Sequence, residues 1–134
     1  MNDEVLDLNP WLELANSDPA FRNTFLAQLQ AIVERCPRQI EEARLAWQDG
    51  RGDDAAHLLH GLRGSIGMLG ATQFCELSRG IEQAMPTAES EQVALLFSAI
   101  GLQASDIAAE MKRTLKQQAF PSGSPVGAPG IDPE

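Results

Sequence analysis

The stretch "LLHGLRGSIGMLGA", Leu58–Ala71, has the apolar spacing of a helix, yet it carries four glycines around a single histidine. Each glycine inside a helix costs roughly 1 kcal/mol relative to alanine. On a helical wheel of about 100° per residue centred on Leu62, His60 falls near 160°, opposite the apolar face. We therefore expect His60 to point to solvent from a helix that buries its other side.

The predicted outer face around His60 is made of small residues instead of the Glu, Lys or Gln that a solvated helix usually carries. The residues that share this face with His60 are Asp53, Ala56, His57, Gly64 and Gly67. Helical side chains lean toward the N-terminus, so residue 64 is the one that would lie across the imidazole. We predict that Gly64 and Gly67 leave the ring open to a partner surface. Gly61 is predicted to allow close packing against a neighbouring helix.

The rest of the sequence predicts only helices. Asn9 and Pro10 open a short helix that ends near Ser17, and Asp18 with Pro19 opens a long helix that Pro37 kinks or briefly interrupts. Gly50 and Gly52 are predicted to end the long helix. Three further helices are predicted over about 53–69, 71–85 and 89–118. The predicted fold class is all-α, an antiparallel up-down-up-down four-helix bundle with a short extra N-terminal helix. The bundle covers 1–119, and the Pro- and Gly-rich segment 120–134 is predicted to be a disordered tail or linker.

Charge and composition narrow the possible partners. The 134 residues carry a net charge of -9, which repels nucleic acid and anionic membrane surfaces. The N-terminus lacks the pattern of a signal peptide, and no apolar segment is expected to approach the roughly 20 residues that span a bilayer. Cys36 and Cys75 have neither zinc nor redox spacing and are predicted to be buried and reduced. We expect a cytoplasmic protein with no nucleic-acid partner and no membrane contact.

An exposed histidine beside an arginine indicates phosphoryl chemistry. Neutral imidazole is a nucleophile near physiological pH, and Arg63 can donate hydrogen bonds to phosphate oxygens. The sequence has no nucleotide-binding loop and no acidic pair that would hold Mg²⁺. A metal site from Asp53, His57 and His60 is disfavoured, because three exposed ligands on one helix leave the metal open to solvent. We therefore predict a phosphoryl carrier, not an enzyme, that receives the group from one protein and passes it to another.

The segment His60–Ala71 resembles the signature of histidine-containing phosphotransfer (HPt) domains, approximately His-x-Leu-Lys/Arg-Gly-Ser/Ala followed by Leu-Gly-Ala. The matching residues are His60, Leu62, Arg63, Gly64, Ser65, Leu69, Gly70 and Ala71. The resemblance extends over residues 18–118. It implies a four-helix bundle in a two-component phosphorelay, in which His60 exchanges a phosphoryl group with aspartates of receiver domains.

The resemblance also implies partners and a further site residue. The expected partners are response-regulator receiver domains and a sensor histidine kinase. No cofactor is expected in this chain, and Mg²⁺ is expected in the partner receiver. Members of the family often carry a polar residue on the following helix that holds the imidazole. Glu82 occupies that place, where its carboxylate is expected to accept the Nδ1 proton and leave Nε2 for phosphoryl transfer.

Two alternatives remain open from the sequence. The chain is compatible with an HPt module of a hybrid sensor kinase, and with a regulatory helical module that binds a partner without phosphoryl chemistry. The second alternative predicts that His60→Gln leaves all function intact. Trp11 and Leu12 on the short helix either cap the bundle or add apolar contacts to a receiver interface.

Overall fold

The computed structural model describes residues 6–119, which contain five α-helices and one 3-10 turn. The helices are α1 (Asn9–Ser17), α2 (Pro19–Gln48), α3 (Gly52–Ile66), α4 (Thr72–Ala84) and α5 (Ser90–Ala119), and the 3-10 turn Gly67–Leu69 continues α3. This part of the chain is entirely helical apart from its connections, as the periodicity predicts. The predicted tail 120–134 lies outside the described residues.

Carboxylate side chains begin the first two helices. The Oδ1 atom of Asp18 accepts the backbone N–H groups of Ala20 and Phe21, at 3.1 and 3.2 Å. This confirms Asp18 as the N-cap of α2. The prediction for α1 is one residue off, because Asn9 is already its first helical residue. The N-cap is Leu8, which has no side-chain acceptor, and the side chain of Asp7 accepts the Asn9 N–H at 3.2 Å.

Two glycines with positive φ turn the chain between helices. Gly50, at φ 80°, follows α2, and Gly70, at φ 84°, separates the 3-10 turn from α4. A Cβ at Gly70 would also lie 2.8 Å from the backbone nitrogen of Asp7, whose N–H donates to the Leu69 carbonyl at 2.8 Å. The prediction that Gly52 ends the long helix is wrong, since Gly52 begins α3. Gly50 alone supplies the left-handed residue that this connection needs.

The long helix α2 passes through Pro37 without interruption. Pro37 is exposed, so its ring stands in solvent on the outer face. The proline lacks the N–H that would reach the carbonyl four residues earlier, and the apolar residues on the opposite face hold the helix in place. Those buried residues are Phe25, Leu29, Ile32, Val33, Cys36, Ile40, Ala43 and Ala46.

The four long helices form a ring around one core. Helices α2 and α4 each pack against both α3 and α5, and α1 packs against α2. Among the described helices, α3 and α5 are therefore diagonal to each other. The space between them is filled by fully buried side chains that include Phe74, Leu59, Ile100 and Met111. The ring fixes which faces of α3 and α5 point away from the core.

An aromatic stack attaches α1 to the bundle. The ring centroids of Trp11 and Phe25 lie 6.2 Å apart, and those of Phe21 and Phe25 lie 5.7 Å apart. The indole Nε1 of Trp11 donates to the carbonyl oxygen of Met68 at 3.2 Å. The short helix therefore contacts both α2 and the end of α3.

Helix α5 is long and apolar enough to cross a membrane by length and composition, over Ser90–Gln118, with 33% of its most apolar window buried in the bundle. The expectation that no segment comes near this length is therefore wrong. The same test is passed by core helices of soluble proteins and is weak evidence for a membrane span. One side of α5 belongs to the core, with Val93, Phe97, Ile100 and Ile107 buried.

Candidate functional site

The structure places His60 where the helical wheel predicts. His60 and Gly64 are exposed on the outer face of α3, while Leu59, Leu62 and Ile66 on its inner face are almost completely buried. The imidazole thus stands on the surface of a helix that the core holds firmly.

The glycines near His60 have different surroundings. A Cβ at Gly64 would meet nothing within 4 Å, so the surface beside His60 is open there. A Cβ at Gly67 would lie 3.1 Å from the Sγ atom of Cys75, so this glycine also lets α4 approach. Gly61 has nothing within 4 Å of its Cβ position. The predicted packing role of Gly61 is therefore wrong.

Arg63 contacts the imidazole directly. Its Nη2 atom lies 2.9 Å from Nδ1 of His60. His60 precedes Arg63 by three residues, so the two side chains are neighbours on the surface of α3. A guanidinium has only donors, so Nδ1 is the acceptor in this contact. A neutral His60 ring therefore carries its proton on Nε2 in this arrangement.

The second terminal nitrogen of the Arg63 guanidinium binds two side chains of α4. The Nη1 atom of Arg63 donates to Ser78 Oγ at 3.0 Å and to the carboxylate of Glu82. The side chains of Arg63 and Glu82 are only 14% and 26% exposed, which strengthens their ion pair relative to one in bulk water. Ser78 is fully buried, and its Oγ also donates to the Leu59 carbonyl at 3.4 Å. Helix α4 thus fixes the arginine that contacts His60.

Glu82 reaches the histidine only through Arg63. The expected hydrogen bond from Nδ1 to the Glu82 carboxylate is not formed, because the guanidinium lies between them. Sequence reasoning also missed Ser78. The signal was available, since Ser78 follows Phe74 by four residues and precedes Ile81 by three on the apolar face of α4, where a hydroxyl needs a partner.

The surface next to α3 has polar and apolar parts. Ala56 is half-buried and His57 is exposed, and Nη2 of Arg35 on α2 donates to Ser65 Oγ at 3.4 Å. Beyond this pair, a cavity of about 380 Å³ lies between α1, α2 and the end of α3. Its wall includes Trp11 and the exposed Met68. An apolar recess thus lies beside the open face of α3.

Within the described residues, the cysteines form no disulfide and the acidic residues take part in no metal site. Cys36 and Cys75 are free thiols, the first buried and the second half-buried. Burial raises the pKa of the Cys36 thiol to about 12, so this thiol stays neutral at physiological pH. Between residues 6 and 119, no group of three His, Cys, Asp or Glu side chains lies close enough to hold a metal ion. Asp53, His57 and His60 therefore do not converge.

A comparison with protein families agrees with the resemblance around His60. The family model described as "Hpt domain" matches residues 27–119. No curated protein and no solved structure gives a significant match. The match spans well over half of the chain and includes α3 with His60, the Arg63 contact and the residues of α4 that hold it. The chain therefore belongs to the Hpt domain family, whose members act in phosphotransfer in two-component signalling.

Proposed function

We propose that this protein is a cytoplasmic phosphoryl carrier that accepts the group on Nε2 of His60 from a receiver aspartate and passes it to another receiver. The observation that carries the proposal is the exposure of the imidazole and of its Nε2 atom. Its Nδ1 atom is engaged by Arg63, while the described residues place no hydrogen-bond partner on Nε2. The open surface at Gly64 leaves room for a donor to reach that nitrogen.

The transfer step needs a free electron pair on Nε2. The pair attacks phosphorus, the P–O bond to the receiver aspartate breaks, and its electrons return to the aspartate carboxylate. The ring proton then resides on Nδ1, and the positive charge of the phosphorylated imidazolium is balanced by the phosphoryl oxygens. In the resting arrangement Arg63 donates to Nδ1 and the ring proton is on Nε2. The guanidinium therefore first has to release Nδ1. Solvent water then delivers a proton to Nδ1 and removes the one on Nε2, which frees the electron pair for attack.

Arg63 is suited to follow the incoming group. After it leaves Nδ1, its N–H donors can bind phosphoryl oxygens, while Ser78 and Glu82 keep the base of the side chain near the ring. In this proposal Glu82 positions Arg63 and balances its charge. The catalytic Mg²⁺ and the aspartate belong to the receiver, so this chain needs no cofactor of its own.

We infer that the four long helices run up-down-up-down. Two contacts support this order. Arg22 near the start of α2 donates to the Gln118 carbonyl near the end of α5, and Gly67 near the end of α3 faces Cys75 near the start of α4. Short connections between successive helices require the same arrangement.

We infer that the docking surface for receivers is centred on Gly64 and Gly67 and is bordered by Ala56 and His57. The exposed position of Gly64 supports this assignment. Trp11 and Leu12 are partly buried against the core, and the apolar recess beside Trp11 extends the surface toward α1. A sensor kinase would reach the relay through such a receiver, and neither nucleic acid nor a membrane takes part.

The proposal is tested with receiver domains charged by acetyl phosphate and Mg²⁺. The intact mass of the wild-type chain should rise by one phosphoryl group, and His60→Gln should abolish the gain. His57→Gln is the control for the second histidine, which lies one turn earlier on the same outer face. This variant should reach the same end-point mass as the wild type, and any change in its transfer rate would report on docking. A gain retained in His60→Gln would refute the assignment, and a wild-type chain that gains no phosphoryl group from any receiver or from phosphoramidate would favour a binding module without phosphoryl chemistry.

A further inference from the structure

The outer face of α5 carries leucines where a solvated helix would carry charges. Leu95 and Leu102 are each 71% exposed and lie seven residues apart, two turns along the same side of the helix. The sequence has no charged residue from Gln92 to Ser105. Surface helices usually place charged residues opposite their buried stripe. Aligned exposed leucines therefore indicate a surface that another apolar surface covers.

This face is separate from the site around His60. Helix α5 packs on α2 and α4, and α3 lies diagonally across the ring. The outward side of α5 therefore points away from the outward side of α3. A partner on α5 can stay bound while another protein reaches His60.

The outermost residues of α5 have a symmetric order about Leu102. The outermost residues lie within about 40° of Leu102 on a helical wheel and are all exposed: Glu91, Leu95, Ser98, Asp106, Ala109, Arg113 and Lys116. Positions at equal distances from 102 carry side chains that can contact each other across a two-fold axis: Glu91 and Arg113, Leu95 and Ala109, and Ser98 and Asp106. A surface that is complementary to itself in this way fits a two-fold axis.

We propose that a second copy of this chain docks on the outer face of α5, antiparallel to it, with the two-fold axis at Leu102. The two Leu102 side chains meet at the axis, and Leu95 packs over the partner's Ala109. Ser98 donates its hydroxyl hydrogen to the partner's Asp106. At each end, Glu91 pairs with the partner's Arg113.

The charge pattern favours this antiparallel register. A parallel pairing would place Glu91 against the same acidic residue of the second copy, whereas the antiparallel pairing joins opposite charges. Arg113 also pairs with Glu110 in its own helix. Its side chain is 62% exposed, and the five N–H donors of a guanidinium leave some free for the partner's Glu91.

The size of the face indicates a weak dimer. A stripe of this length covers about 30 Å of helix, and one helix pair buries less than the roughly 800 Å² per partner of a standard stable interface. The net charge of -9 on each copy further opposes association and makes it sensitive to salt. We therefore expect a dimer that forms reversibly as the protein concentration rises.

Sedimentation velocity of the full chain, from about 10 µM to about 1 mM, covers the range of a weak complex. The average mass of the wild type should rise toward that of a dimer. Leu102→Glu should stay monomeric at every concentration, and Leu45→Glu should behave like the wild type, because Leu45 is exposed on α2 instead. Circular dichroism would verify that both variants keep the helical content of the wild type.

A charge swap tests the register itself. Glu91→Arg and Arg113→Glu should each weaken the dimer at least about tenfold, and the double variant should restore the wild-type value, since the two charges are exchanged across the axis. A wild type that stays monomeric throughout would overturn the proposal, as would a Leu102→Glu variant that dimerises like the wild type. A monomer that instead cosediments with phosphatidylcholine vesicles would assign the face to a lipid surface and equally overturn it.

Discussion

Gly64→Gln should stabilise the fold and yet slow phosphoryl transfer. The Cβ position of Gly64 has nothing within 4 Å, so the new side chain needs no rearrangement of the bundle. Glutamine is about 0.5 kcal/mol more favourable than glycine in a helix interior, which raises the melting temperature of a domain of this size by about 2 °C. The side chain would lean toward the N-terminus and cover the imidazole of His60.

The expected loss of transfer follows from the approach distance. Reacting atoms have to come within about 3.5 Å of each other. The glutamine side chain would fill the space above Nε2 that the phosphorus atom has to enter. We expect at least a tenfold slower transfer from a phosphorylated receiver, which corresponds to about 1.4 kcal/mol in the barrier. The transfer rate, measured by stopped flow or rapid quench at a saturating concentration of the receiver, separates this loss from weaker docking.

Gly61→Gln is the matched control for the same chemistry. Gly61 is also exposed in α3 with nothing within 4 Å of its Cβ position, so it should give the same gain in stability. It corresponds to the variable position of the HPt signature, and its side chain would not cross His60. Equal transfer rates in the two variants would refute the view that Gly64 keeps the surface beside His60 open for the partner.

Four further predictions concern the fold and its two thiols. Gly70→Ala should lower the free energy of unfolding by roughly 2 kcal/mol, because φ is 84° there and a Cβ meets the backbone of Asp7; denaturant unfolding measures the loss. Asp18→Ala should cost about 1 kcal/mol through the lost N-cap of α2, whereas Asp18→Asn should restore most of it. In native protein at pH 8, a thiol reagent should label the half-buried Cys75 well before the buried Cys36. Burial raises the pKa of Cys36 from 9.0 to about 12. Between these pH values the unfolded chain loses the thiol proton while the folded chain keeps it, so the free energy of unfolding is unaffected below pH 9 and falls as the pH rises toward 12. Cys36→Ala should remove this alkaline loss of stability.

The helices were predictable because their signals are local. The spacing of Phe25, Leu29 and Ile32 fixes the buried side of α2, and Asp18 supplies the cap that begins it. The errors in the predicted helices lie at their ends, where the predicted first or last residue is off by one or two positions. The N-cap of α1 is Leu8, one position before the predicted Asn9, and a propensity argument does not locate a helix end to within one residue.

The position of His60 was predictable, but the arrangement around it was not. A helical wheel gives the direction of each Cβ, which is enough to place His60 and Gly64 outside. It does not give the rotamer of a long side chain, which decides that Arg63 lies between His60 and Glu82. The buried hydroxyl of Ser78 adds a tertiary constraint on that rotamer, and such a constraint exists only after α3 and α4 have packed.

The most direct measurement is nitrogen and phosphorus NMR of the chain, labelled with ¹⁵N in its histidines, before and after reaction with phosphoramidate. Before the reaction, His60 should have an unprotonated Nδ1 and a protonated Nε2, as the contact with Arg63 requires. After it, phosphorus should couple to Nε2 of His60, and His57 should be unchanged. Phosphorus on Nδ1, on His57, or on neither histidine would contradict the account.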